Sequence, residues 1–195
     1  LDLTEVTSKA QLLSLLSDYA KLVSGGTVLG HGWDETHWSD PTLPTRTEID
    51  RATWGSVVYL SRVDVHSALV SSSLIAQLPE CQTMAGFEVG PVTQAAHGAL
   101  RTYALSSVSD NQRAAAQKTF FAHALEQGIV SVHEMAGPQI SSHADARRLR
   151  DLASRPHMPH LAIYWGELWS EHSAQIVAEL NGIGLGGDLF IDGAI

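Results

Sequence analysis

Gly128-Ile129-Val130-Ser131-Val132-His133-Glu134 ends one helical pattern at a glycine and begins an apolar run that finishes on a histidine and an acid. A short apolar run between turn signals reads as a strand buried on both faces. Three further runs have the same form: Val28-Leu29-Gly30-His31-Gly32-Trp33-Asp34, Val57 through His66, and Leu189-Phe190-Ile191-Asp192-Gly193. Polar residues at the carboxyl ends of parallel strands are where α/β barrels carry their chemistry.

Between these runs the sequence alternates with helical patterns. Ser8 and Gln11 have the spacing of a capping box, and Leu12, Leu15, Leu16, Tyr19 and Leu22 follow at helical intervals, which predicts an amphipathic helix over 9–23. Thr45 and Glu48 cap a short helix through Ala52, and a short helix falls near 71–77. Pro91-Val92-Thr93 opens a helix to Leu105. Ser109 and Gln112 open another, with Ala114, Phe121, Ala124 and Leu125 on one side and Gly128 at its end. Ser142 and Asp145 begin a helix to about 154, Leu161–Trp165 form a further strand, and Ser170 begins a helix that stops at Asn181-Gly182. Strands alternating with helices of this length imply parallel βαβ units. Five parallel strands with flanking helices make either an open doubly wound sheet or just over half of an eight-stranded barrel, which needs roughly 250 residues.

The chain has 195 residues, 44% hydrophobic and 17% charged, a globular composition sufficient for a sizeable core. Its net charge of -9 argues against nucleic acid, whose phosphates need a basic face. No apolar stretch approaches the roughly 20 residues that span a bilayer, so no membrane role is expected. Cys81 is the only cysteine, which excludes an intramolecular disulfide and fits a reducing, cytoplasmic setting. Its loop, beside Pro79 and Glu80, has no signature of a nucleophile. Ten histidines are numerous enough to raise the question of a metal protein.

Gly182-Ile183-Gly184-Leu185-Gly186-Gly187 formally matches the dinucleotide-binding glycine pattern. That mechanism needs the glycines after a strand and at a helix start. Here they follow a helix and precede a strand, as a helix cap and tight turn would. There is no nucleophile elbow of the serine hydrolases, and His133-Glu134 lacks the second histidine of a helical zinc motif. Asp64 and His66 are two apart and would share one side of an extended strand, to bind a metal, relay a proton, hold a polar substrate or close the strand end as a hydrogen-bonded pair. His133 and Glu134 are adjacent, so only one can face a barrel centre. Asp188 and Asp192 share a side of the last strand. His97 and His123, on helices, read as packing or surface residues, and His37, His143, His157, His160 and His172 as solvated ones.

Taken in order, Gly30–Asp34, Pro44–Ala52, Leu60–Ala68, Gly128–Glu134 and Gly187–Ala194 resemble the amidohydrolase superfamily, in the branch of the N-substituted formamide deformylases. The resemblance covers the whole chain. It implies a partial (β/α)8 barrel, with 1–195 a single middle segment of a metal-dependent hydrolase: a fragment or a truncated product without the β-sandwich and remaining barrel strands. It implies a divalent metal, zinc, in the full-length protein, and hydrolysis of an amide or formamide C–N bond by a metal-activated water whose pKa falls toward ~7. On that reading Asp188 is a metal ligand, standing where the family commonly has a lysine. Trp33, Asp64, His66 and His133 contact substrate, Asp192 fixes a strand-end turn, and no catalytic residue falls within the segment. A glycine is usual where Val65 stands. The competing reading is an inactive truncated barrel that binds partners or self-associates through exposed barrel edges. A flavodoxin-like nucleotide binder is third, weakened by the context of its glycines.

Overall fold

The structure is a computed structural model and describes residues 1–23, 25–138, 140–187 and 189. The chain divides into two compact units, Leu1–Ser107 and Val108–Gly193.

The first unit begins with α1 (Lys9–Val23). Ser8 Oγ accepts from the Gln11 amide at 3.2 Å, and the Gln11 side chain accepts from the Thr7 amide at 2.8 Å, so the return arm of the expected box lands one residue earlier. Leu12, Leu16 and Ala20, spaced by four, form the buried stripe. Leu15 and Leu22, expected there, are exposed. Strand β1 (Val28–Trp33) pairs in parallel with β2 (Val58–Arg62), and α2 (Arg46–Ala52), closed by the Thr45–Glu48 box, lies in the crossover that a parallel pair requires. The register slips between His31 and Trp33. Gly32 sits there at φ +92°, and a Cβ would lie 2.5 Å from Thr4 Cγ2. The bulge turns Trp33 into the core, where its Nε1 donates to the Leu60 carbonyl at 2.9 Å.

The second apolar run does not stay extended to His66. Strand β2 stops at Arg62, and the chain reverses into β3 (Ala68–Val70), antiparallel to β2 with Tyr59 opposite Val70. Val65 sits at φ +58°, and Asp64 Oδ1 accepts from the His66 amide at 3.1 Å. An aspartate that binds backbone two residues on makes its own turn. The reversal carries no Gly, Asn or Pro, so the usual punctuation is absent. Helices α3 (Ser72–Gln77) and α4 (Gln94–Ser106), with a 3-10 turn at Pro79–Thr83, cover one face of this sheet, burying Tyr59, Val70, Leu74, Cys81 and Leu100 together. The other face packs Val28, Val58 and Leu60 against Leu12, Leu16 and Ile49.

The second unit begins with α5 (Asp110–Glu126), capped by Ser109 and Gln112 as expected, and Gly128 follows at φ +77°. Strands β4 (Ser131–Ala136), β5 (His160–Trp165) and β6 (Gly184–Leu185) form a parallel sheet in that order, with α6 (His143–Ala153) and α7 (Glu171–Leu180) in the crossovers. Ala136, Ile163 and Trp165 pack on Ala146, Ile176 and Leu180. Burial on both faces, expected for the 129–134 run, is not found: Ile129, Val130, Ser131, His133 and Met135 are exposed. Helices cover one side of this sheet, so alternation along β4 separates buried from open. Asn181, in the left-handed conformation, caps α7 where the sequence predicts a helix end, but the glycine-rich stretch that follows, expected to be a turn, contains the strand β6. The strand expected at 188–192 falls outside the described residues, Leu189 apart.

Among the described residues five strands take part in parallel pairings, and the chain is α/β with flanking helices. No helix among the described residues is long and apolar enough to cross a membrane.

Candidate functional site

The carboxyl ends of β1 and β2 meet at Arg62. Its guanidinium donates to Glu35 at 3.0 and 3.2 Å, to Asp34 at 3.4 Å and to Asp64 at 2.6 Å. Its cationic carbon lies 5.8 Å from the centre of the Trp33 ring. Asp34 caps the 3-10 turn Glu35–His37, and the Thr36 hydroxyl and amide at 2.6 and 3.1 Å hold its carboxyl below the usual range. Burial pushes the Asp64 carboxyl up, but the His66 amide and Arg62 outweigh it and the net shift is downward. Bonds to Glu35 and Asp64 in turn raise Arg62. A guanidinium shared by three carboxylates has its charge satisfied, so this fork ties the strand ends together and leaves no bare cation for a ligand.

This places the residues predicted from sequence. Trp33 is 1% exposed, inside the core beneath Arg62, and does not line a surface. Asp64 is bound to Arg62 and to the turn. His66 is exposed, and its link to Asp64 runs through its backbone amide. The shared strand side expected for Asp64 and His66 is absent because both lie in the turn that follows Arg62.

On the face of β2 toward α4, the Tyr59 hydroxyl and His97 Nε2 are 2.8 Å apart, their rings 6.0 Å between centres and 24° from parallel. Both residues are buried. Burial raises the phenol to about 12 and lowers the imidazole, which the positive charge of Arg101 lowers further. Two neutral groups therefore share one hydrogen bond inside the first unit. The pair escaped the sequence reading because Tyr59 sits within an apolar run and His97 shares its helix face with Leu100 and Ala104, the pattern of packing residues.

In the second unit His133 and Tyr164 stack across β4 and β5, 5.9 Å between centres and 18° from parallel. Ser131 Oγ and His160 Nδ1 approach to 3.4 Å on the same sheet. These groups lie on the face opposite the α6–α7 core, where an imidazole and a phenol can both hydrogen-bond a polar ligand. Glu134 points the other way. Burial and the charge of Asp145 raise its carboxyl, with partial relief from Ser141. His143, expected to be solvated, is half-buried against Trp165, with Nε2 3.3 Å from Glu179. The Cys81 thiol is fully buried and raised by burial, the state of an inert packing residue. Asp188 and Asp192 lie outside the described residues. Among the described residues no group of three or more His, Cys, Asp and Glu side chains could hold a metal ion, so they do not by themselves fit the metal that the family resemblance implies.

A protein-family model described as the Amidohydrolase family matches residues 1–192. Two solved structures are similar in fold. One is an uncharacterized metal-dependent hydrolase from Pyrococcus horikoshii OT3, at TM-score 0.59 and 20% identity over 84% of this chain and 32% of that one. The other is an uncharacterized metal-dependent hydrolase from Pyrococcus furiosus, at TM-score 0.56 and 23% identity over 92% of this chain and 36% of that one. The chain thus spans about a third of each. No curated protein matches it.

Proposed function

Because the chain belongs to the amidohydrolase family, we propose that it supplies one arc of the barrel of a metal-dependent hydrolase that cleaves the C–N bond of a small amide or formamide. The observation that carries this reading is the open face of the second sheet. In an α/β barrel the helices cover the outside and the opposite face of each strand looks inward. The stacked His133 and Tyr164 lie on that uncovered face, so they would present an imidazole and a phenol to the substrate. His66 would contribute from its turn, while Trp33 and Asp64 would act indirectly by holding Arg62. The metal, a divalent ion and by preference zinc, needs ligands beyond the described residues, with Asp188 as the one proposed from this chain. The cytoplasm is the proposed setting, since the one cysteine is a reduced, buried thiol.

The test uses the whole metal-loaded protein and measures amine release from N-formyl and N-acyl amines beside hydrolysis of esters and phosphate esters. Amine release, reduced roughly 100-fold in His133→Ala, is the expected result for a side chain that positions the substrate. Ester or phosphoester cleavage without amine release would sink the C–N reading.

A second reading, self-association, has its own support: among the described residues β4 is an edge strand, and Ile129 and Val130 just before it are exposed.

A further inference from the structure

Glu134 and His133 are neighbours on β4 with opposite orientations. His133 looks out from the open face, whereas Glu134 lines a cavity of about 270 Å³ between β4, α5 and α6. Phe120, Ala116 and Leu149 give it apolar walls, and Glu134, Ser141, Asp145 and Gln117 supply its polar groups, the Gln117 amide nitrogen already donating to the Asp145 carbonyl at 3.2 Å.

The two carboxylates differ. Asp145 is neutralised, accepting from Arg113 at 3.1 Å and from Arg148 at 2.7 Å. Glu134 has no Lys, Arg or His paired with it among the described residues. The buried Ser141 Oγ has no partner of hydrogen-bonding geometry there either. Removing a carboxylate from water is costly unless a cation accompanies it, and an unpaired buried hydroxyl carries its own penalty. Burial accordingly raises the Glu134 carboxyl; the approach of Ser141 offsets only part of this, and the nearby Asp145 charge adds to it. What this cavity lacks is a positive charge that brings N–H donors and an apolar body.

We propose that the cavity binds a small organic ammonium, an alkyl- or arylalkylamine. Its N–H groups would donate to the Glu134 carboxylate and to Ser141 Oγ, and its carbon skeleton would lie against Phe120 and Leu149. A neutral ligand of the same shape would leave Glu134 uncompensated, and an anion would meet two carboxyl groups. The volume lies just below the 300–1,000 Å³ typical of drug-sized ligands, which suits a smaller molecule. Such a site lies on the helix side of β4 and does not depend on the hydrolase reading.

The probes are benzylammonium and benzyl alcohol, titrated into the whole chain by calorimetry. The ammonium is expected to bind roughly tenfold tighter than the alcohol, since a charge-assisted hydrogen bond is about twice as strong as a neutral one. Glu134→Gln is expected to bring the ammonium down to the level of the alcohol. Ala116→Leu, on the exposed wall of α5, is expected to exclude both probes without touching a polar group, and it decides the matter if Glu134→Gln does not fold. Absence of ammonium binding to the folded parent would overturn the proposal. So would ammonium binding that both variants leave unchanged.

Discussion

Among the described residues each unit holds a histidine–tyrosine pair with similar ring spacing and tilt: 6.0 Å and 24° for Tyr59–His97, 5.9 Å and 18° for Tyr164–His133. Their surroundings differ. The first pair is buried because helices cover both faces of its sheet, while the second stands on a face that no helix covers among the described residues. The same two side chains thus form a packing element in one unit and a ligand-accessible surface in the other. Ring geometry by itself does not mark a site; the layer that lies over it does.

The largest expected contrast comes from removing each phenol oxygen. Tyr59→Phe leaves His97 Nε2 buried without a partner and should destabilise the first unit by about 1–3 kcal/mol, whereas Tyr164→Phe, on the open face, should cost under ~0.5 kcal/mol. Urea denaturation of the two variants checks this, and equal losses would erase the distinction between the pairs. A smaller effect is expected at the turn after β2. Val65 is β-branched and sits at φ +58°, a backbone region that costs a non-glycine residue about 1–3 kcal/mol. Glycine removes that strain but adds chain entropy worth about 0.5–1 kcal/mol, so Val65→Gly should stabilise the first unit by about 1 kcal/mol, visible as a raised urea midpoint.

The finest probe is pH, to which the two units should respond in opposite senses. Burial holds His97 below its ordinary 6.5, so the unfolded chain takes up that proton first. The first unit should therefore lose stability as pH falls below about 6.5, until the folded imidazole also protonates. Burial holds Glu134 above its ordinary 4.5, so its contribution is fully present below that value and is lost as pH rises through the folded value. The second unit should therefore gain stability as pH falls from the folded Glu134 value toward 4.5, the opposite sense to the first unit below 6.5. Unit-resolved hydrogen exchange between pH 4 and 7 reads both slopes, with His97→Asn and Glu134→Gln as controls that should flatten them.

What could be read from sequence was local. The Thr45–Glu48 and Ser109–Gln112 boxes act across three residues, so spacing alone locates them, and both are present. The strands β1, β4 and β5 likewise follow from apolar runs between breakers. The turn at Val65 was hidden because an aspartate side chain does there what a glycine ordinarily does. Tyr59 and His97 meet across 38 positions, and no local pattern records which tyrosine a helix will cover. His133 was legible as a strand residue, but it lies in the middle of β4 and not at the strand end where the apolar run placed it. Tyr164, its stacking partner, and Glu134, as a cavity residue, were not legible, because strand register and helix placement decide what each one meets.

The fate of Cys81 has a practical consequence. It is the one thiol of the chain and is wholly buried among Tyr59, Leu74 and Leu100 of the first unit. A thiol reagent can reach it only when that cluster opens, so the rate of labelling is a clock for the first unit alone. Set against a probe that sees the whole chain, such as circular dichroism, it would tell whether the two halves come apart in one event or in two.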